Sequence, residues 1–387
     1  MKETNATQNE AGSGRRFVLV DALRGVAALA VLFHHLLFNS ELQVTLWKIL
    51  PAWFAEFCHR GAYGVQIFFV ISGFVIAHSL RNVLLTPKAV GTFMLRRQLR
   101  LDPPYWTVLF LTVVSLYVER HVSWIAHKPF PTWGDFITNM FYLQNITVNS
   151  SIMGVSWTLC LEVQFYLVFI LLLVAGKALA RNAASAINAS FALVAALAVV
   201  SVLIKRAEGA YLDAWFIQWW YYFASGAMCY WAVNHTRFRI PLVIFLALFA
   251  VMTCLHDPYP MSVGLATVLL LFVAGLKGKL TSWLNFAPLQ YLGKISYSLY
   301  LSHLLVAVYV LRFGYRMTHT NQPAAVFWFF LAGAVSVGVA HGLYLLVEQR
   351  SIRFGAKFRP AQIDAGAAGG AKKKEPLVND MKGLQNA

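Results

Sequence analysis

The chain has 387 residues, of which 59% are apolar and only 12% charged, and its formal net charge is +16. That balance excludes an ordinary water-soluble domain, in which about a quarter of the residues carry charge, and the apolar residues fall in runs of about twenty rather than in amphipathic stripes. The sequence is therefore that of an all-α polytopic membrane protein with about ten transmembrane helices. The expected spans are 17–38, 61–80, 104–120, 157–176, 188–204, 212–232, 240–256, 261–276, 292–311 and 324–347.

Short cytoplasmic loops hold more Lys and Arg than external ones. With the N-terminus inside, the inner segments hold Arg15, Arg16, Arg81, Lys88, Arg96, Arg97, Arg100, Lys177, Arg181 and the basic C-terminal tail, whereas Arg60, Arg120, Arg312 and Arg316 fall to the outer loops. Both termini are thus expected to be cytoplasmic. Residues 1–16 are expected to form a cytoplasmic tail, 17–355 the transmembrane domain, and 356–387 a disordered cytoplasmic tail rich in Gly, Ala and Lys. This asymmetry accounts for the positive charge without a nucleic-acid partner. The polar N-terminus has no apolar stretch ahead of a cleavage site, so the first span is expected to serve as its own targeting signal. The expected location is a cell membrane, a bacterial inner membrane first, with any chemistry within or at the edge of the bundle. Cys58, Cys160, Cys229 and Cys254 show no metal-ligand spacing, and no metal is expected. Cys58 and Cys254 both fall near the outer face, where an oxidising compartment permits a pair.

The polar residues inside the spans carry the functional information. In the first span, Arg24 is costly in lipid and is expected to face a cavity or a ligand. Eleven helical steps of about 100° return to within about 20° of the start, so His35 shares the face of Arg24 and His34 does not. At 1.5 Å per residue, Arg24 lies roughly 10 Å from the inner end of the span and His35 roughly 16 Å further out. Between the second and third spans, Arg97 and Arg100 stand three apart, one helical face suited to gripping a phosphate; a positive inner loop also needs no ligand. In the fourth span, Glu162 sits roughly 7 Å below the outer surface, the level of His35. A carboxylate beside an imidazole lets the ring take a proton from a hydroxyl, although such a pair also serves as a plain interhelical contact. Ser72, Tyr297, Tyr300 and His303 are candidates for lining the same channel, with the same plain alternative. Glu348, near the inner end of the last span, is expected to pair with a cytoplasmic arginine or to act in catalysis.

Six short motifs in order resemble one family. They are Asp21-Ala-Leu-Arg24-Gly with ten residues between Arg24 and His35; Phe68-Phe69-Val-Ile-Ser72-Gly73-Phe74; Arg97 and Arg100 before Pro103-Pro104-Tyr105; Ser156-Trp157-Thr158-Leu-Cys160-Leu-Glu162-Val-Gln-Phe165-Tyr166; Gly293-Lys-Ile-Ser296-Tyr297-Ser298-Leu-Tyr300-Leu-Ser302-His303; and Tyr344-Leu-Leu-Val-Glu348. Together they resemble the acyltransferase 3 family of integral membrane acyltransferases. The resemblance implies a ten-helix bundle that moves an acyl group, usually acetyl, from cytoplasmic acyl-CoA to a hydroxyl of a carbohydrate or glycan acceptor. It implies His35 as the base with Glu162 near it, and Arg24, Arg97 and Arg100 as binders of the CoA phosphates. Acyl-CoA is then a substrate and no cofactor is held permanently. The departures are His34, a second imidazole, and Cys160, where a small hydroxyl residue is common. The oligomeric state is left open. By hydropathy alone, a multi-span transporter or flippase exporting a glycan or small solute fits equally.

Overall fold

A backbone segment inside a bilayer finds no water for its N–H and C=O groups, so each apolar run closes them within a helix. The computed structural model describes residues 16–122, 129–147, 149–204, 214–255, 258–319, 321–358 and 360–361, and these form helices with no extended strand. In chain order the helices are α1 (Val18–Phe38), α2 (Gln43–Ile49), α3 (Ala52–Arg60), α4 (Gly64–Leu80), α5 (Pro87–Glu119), α6 (Trp133–Met140), α7 (Trp157–Ala178), α8 (Ala183–Ile204), α9 (Trp220–Asn234), α10 (Arg239–Leu255), α11 (Pro258–Leu276), α12 (Ala287–Thr318), α13 (Gln322–Leu343) and α14 (Gln349–Gly355). A π-helical turn, Tyr344–Glu348, joins the last two. Among the described residues, nine helical runs are long and apolar enough to cross a bilayer. The protein is an all-helical, multi-pass membrane protein. Most of the two expected tails, 1–15 and 362–387, lies outside the described residues.

The expected span at 212–232 takes another form. Residues 212 and 213 lie outside the described residues, and the helix found there, α9, has 15 residues. That is about 22 Å of rise, short of a hydrocarbon layer of about 30 Å. Every residue from Trp220 to Ala232 is buried, so α9 offers no side to lipid and forms a post inside the bundle. Aromatic rings wedge it against α7, with Phe165 stacked on Phe223 and Phe169 on Trp231 at centroid separations of 4.9 and 5.7 Å.

The third span differs from expectation too. The expected third span begins at residue 104, at the Pro-Pro pair, with Arg97 and Arg100 on one helical face between the second and third spans. Instead α5 is one 33-residue helix that runs through Pro103 and Pro104. It starts at Thr86, whose hydroxyl accepts from the Ala89 N–H, with Pro87 in the first turn. Tyr297 of α12 donates to the Leu101 carbonyl just before the prolines at 2.8 Å. The arginines are therefore held on a regular helix that continues into the bundle. Arg312, expected in an outer loop, is likewise inside α12. All four cysteines are free, Cys58 buried and Cys254 exposed, so the Cys58–Cys254 pair does not form.

Two glycine seams set the positions of the polar side chains. Along α1 and α12, a Cβ on Gly293 would stand 2.0 Å from the Asp21 carbonyl oxygen, and one on Gly25 would stand 2.6 Å from that of Leu289. Along α4 and α9, a Cβ on Gly73 would stand 1.8 Å from the Phe223 oxygen, and one on Gly226 would stand 1.9 Å from that of Val70. Such close backbone approach is the packing that small residues allow between membrane helices. Gly73→Ala should therefore destabilise the bundle by about 1–3 kcal/mol, the usual cost of overpacking. Thermal unfolding in detergent, followed by tryptophan fluorescence, checks this; an unchanged midpoint contradicts the seam.

Candidate active site

The parallel pairing of α1 with α12, and of α12 with α5, gathers three arginines on one cavity of about 110 Å³. Arg24 comes from α1, Arg97 and Arg100 from α5, Ser72 from α4, Glu162 and Tyr166 from α7, and Tyr297 and Tyr300 from α12. Seven of the nine residues named from the sequence thus line one space; His35 and His303 do not. Glu162 is the one carboxylate among the lining residues. It accepts a hydrogen bond from Ser72 at 3.0 Å and a short one from Tyr166, whose ring lies 5.1 Å from the Arg97 guanidinium.

Among the described residues, Arg24, Arg97 and Arg100 have no hydrogen bond or ion pair to protein, and Arg100 Nε is buried without a partner. The three are partly buried, and a charge held away from water is costly unless it is paired; the lining thus holds an excess of positive charge and unused donors. Glu348 does not meet the arginine pairing expected for it. The π turn directs its buried carboxylate at Ser298, which donates to it at 2.6 Å, and no Arg or Lys forms an ion pair with it among the described residues.

His35 and Glu162 are not in hydrogen-bond contact among the described residues. Depth along two helices does not make them neighbours: α4 packs against both α1 and α7, and the carboxylate is taken by Ser72 and Tyr166. The partner of His35 is instead His303, whose Nε2 lies 3.1 Å from His35 Nδ1. His35 Nδ1 is also 2.9 Å from the Val31 carbonyl, and His303 Nδ1 is 2.9 Å from that of Leu299. A carbonyl oxygen only accepts, so both Nδ1 atoms must carry hydrogen. His35 Nδ1–H then donates both to Val31 and to the lone pair on His303 Nε2. This leaves His35 Nε2 as an acceptor, with no hydrogen bond among the described residues. His303 is buried while His35 is partly exposed, so the free nitrogen belongs to the more accessible ring. The neighbouring His34 turns elsewhere, with Nδ1 on the carbonyls of Cys58 and His59 at 3.2 and 3.1 Å.

Sequence reasoning did not find the His35–His303 pair, although it named both residues. Tyr166, present in the fourth-span motif but given no role there, is the link between Arg97 and Glu162, a role that a tyrosine in an apolar helix does not announce. A second polar cluster went unseen at the other end of α5 and α12: Glu119 accepts from Tyr309 at 2.6 Å and from Arg312 at 3.1 Å.

The sequence profile of the family described as Acyltransferase domain matches residues 17–344. Among characterised sequences, YrhL of Bacillus subtilis (strain 168), named as a candidate peptidoglycan O-acetyltransferase, is 29% identical over 186 residues, 43% of this chain and 25% of that protein. OatA of Listeria monocytogenes serovar 1/2a, named as a peptidoglycan O-acetyltransferase, is 27% identical over 164 residues, 39% of this chain and 23% of that protein. The aligned part spans about a quarter of each relative's length. No solved structure matches the chain.

The hydrogen-bond geometry fixes the ring tautomers in a way that can be measured. In protein labelled with ¹⁵N-histidine, His35 and His303 should both show protonated Nδ1 and bare Nε2. A proton on Nε2 of His35 at neutral pH would contradict the arrangement.

Proposed function

Since the chain belongs to the acyltransferase 3 family, we propose that it is a membrane O-acyltransferase that moves an acyl group, acetyl first, from cytoplasmic acyl-CoA to a hydroxyl of a cell-surface glycan. Peptidoglycan is the leading acceptor, because the relatives YrhL and OatA carry that substrate in their names. The observation that carries this reading is the convergence of Arg24, Arg97 and Arg100, without protein partners, on one cavity. A CoA diphosphate and 3′-phosphate supply the negative charge that such guanidinium groups take in forked hydrogen bonds.

The helices give the donor a path. About 16 Å of α1 separates Arg24 from His35, comparable to an extended pantetheine arm, so phosphates held at the arginines allow the thioester to reach the histidine pair. In the proposed step His35 Nε2 removes the proton of the acceptor hydroxyl. The hydroxyl oxygen bonds to the thioester carbonyl carbon, the C–S bond breaks, and the proton on His35 passes to the departing CoA sulfur. While His35 is charged, its Nδ1–H donates more strongly to Val31 and to His303 Nε2. His303 is thus a positioning residue that selects the tautomer and supports the cation.

Purified protein in bilayer discs, given ¹⁴C-acetyl-CoA and glycan strands, should label the glycan. His35→Ala should lower the rate at least 100-fold, the usual size of a general-base contribution, while acetyl-CoA still binds; activity equal to wild type would remove His35 as the base. An unmodified acceptor mass with transport of the glycan would favour a flippase instead. Arg100→Gln should raise the KM for acetyl-CoA about tenfold or more, the scale of a lost charged hydrogen bond, with little change in acceptor KM. An unchanged donor KM would return Arg100 to a structural role.

A further inference from the structure

A second cavity, of about 670 Å³, opens at the far end of the helices that carry the arginine cavity. Its lining includes Asn39 just past α1, Ser115 and Glu119 of α5, and Tyr309 and Arg312 of α12, together with Phe130. Glu119 and Arg312 are about 28 Å and 22 Å along their helices from the arginine-cavity residues Arg100 and Tyr297. The His35–His303 pair lies between the two spaces. The Asn39 N–H bonds the His35 carbonyl at 3.1 Å, and Leu304, next to His303, lines the second cavity.

The two spaces differ in chemistry. The first presents three unpartnered guanidiniums, and the second presents Glu119 and Asp135 against Arg312, with no excess of positive charge to attract phosphates. Its polar groups are also oriented. Glu119 Oε1 takes both Tyr309 and Arg312, leaving Oε2 without a hydrogen bond among the described residues. Arg312 is set from the other side by Glu41 at 3.5 Å, and the Asn39 side chain makes no hydrogen bond among the described residues. A free carboxylate oxygen, a fixed guanidinium and an amide, beside the rings of Phe130 and Tyr309, match the hydroxyls, N-acyl groups and apolar faces of sugar rings. Where the cavities approach each other the wall is a hydrogen-bonded cluster. The Tyr300 hydroxyl meets the Thr158 hydroxyl at 2.8 Å and donates to the Val155 carbonyl at 3.1 Å; Tyr300 and Thr158 face the first cavity and Val155 the second.

We propose that this second cavity seats the acceptor, an uncharged, hydroxyl-rich glycan segment bound between Glu119 and Arg312, with its reactive hydroxyl directed past Leu304 to His35. The assignment rests on the acyl-transfer reading above for its purpose, but its binding prediction stands apart from catalysis. The probe is a β-1,4-linked N-acetylglucosamine tetrasaccharide, titrated into the full-length protein in bilayer discs without acyl-CoA and followed by saturation-transfer NMR. Glu119→Gln removes the charged acceptor, and Ser115→Phe fills the cavity while leaving the Glu119–Arg312 pair in place. Each should weaken tetrasaccharide binding at least tenfold and leave the Kd for CoA within twofold of wild type. Unchanged tetrasaccharide binding in Ser115→Phe, failure of the wild type to bind it, or an equal loss of CoA binding in both variants would overturn the seat. Tetrasaccharide binding that depends on both residues in a protein that transfers no acetyl would support the seat and count against the acyl-transfer reading.

Discussion

Three guanidinium groups share one small cavity inside a membrane bundle with a single carboxylate, and that imbalance is the constraint on which the rest depends. Arginines cannot shed their protons, and these three are partly shielded from water without a paired charge, which is costly. Glu162 does not neutralise them by direct contact; its Oε1 is occupied by Ser72 and Tyr166. A site so unbalanced is best satisfied by a polyanion that enters and leaves, and a CoA phosphate group has that character.

Rigidity makes the site usable. Gly25 and Gly293 bring the backbones of α1 and α12 into contact, so Arg24 stands opposite the Tyr297 region and, further along the same parallel pair, His35 meets His303. The second parallel partnership, α12 with α5, carries Tyr297 to Leu101 at one end and Arg312 to Glu119 at the other. Two helix pairs sharing α12 thereby hold a cavity with three arginines, a histidine pair and a cavity with charges of both signs in a row. The proposed transfer from acyl-CoA to a glycan would use that sequence of environments.

Much of this was legible in the residues themselves, because polar groups in apolar runs stand out and helical period assigns them faces. Arg24, Arg97, Arg100, Ser72, Glu162, Tyr297 and Tyr300 could be picked out on that ground, and they line one space. What period and depth do not carry is adjacency. His35 and Glu162 lie on helices with α4 packed against both, while the meeting of His35 with His303 depends on a glycine seam between segments some 270 residues apart in the chain. The third span was expected to begin at residue 104, whereas α5 starts at Pro87 and runs through Pro103 and Pro104, because tertiary contacts from α12 support a helix that local preference would break. The post α9 is short and buried all round, so its apolar run read as an ordinary span. Arg312 was expected in an outer loop and Glu119 had no assigned role; the packing of α5 on α12 brings them together.

The central claim is that the arginine cavity holds the acyl donor and presents it to His35. Its most direct test is a structure of the protein bound to a non-hydrolysable acetyl-CoA analogue. The account predicts phosphates against Arg24, Arg97 and Arg100, with the acetyl group extended past Tyr300 toward His35 Nε2. An analogue seated in the Glu119–Arg312 cavity, or phosphates bound away from all three arginines, would contradict it.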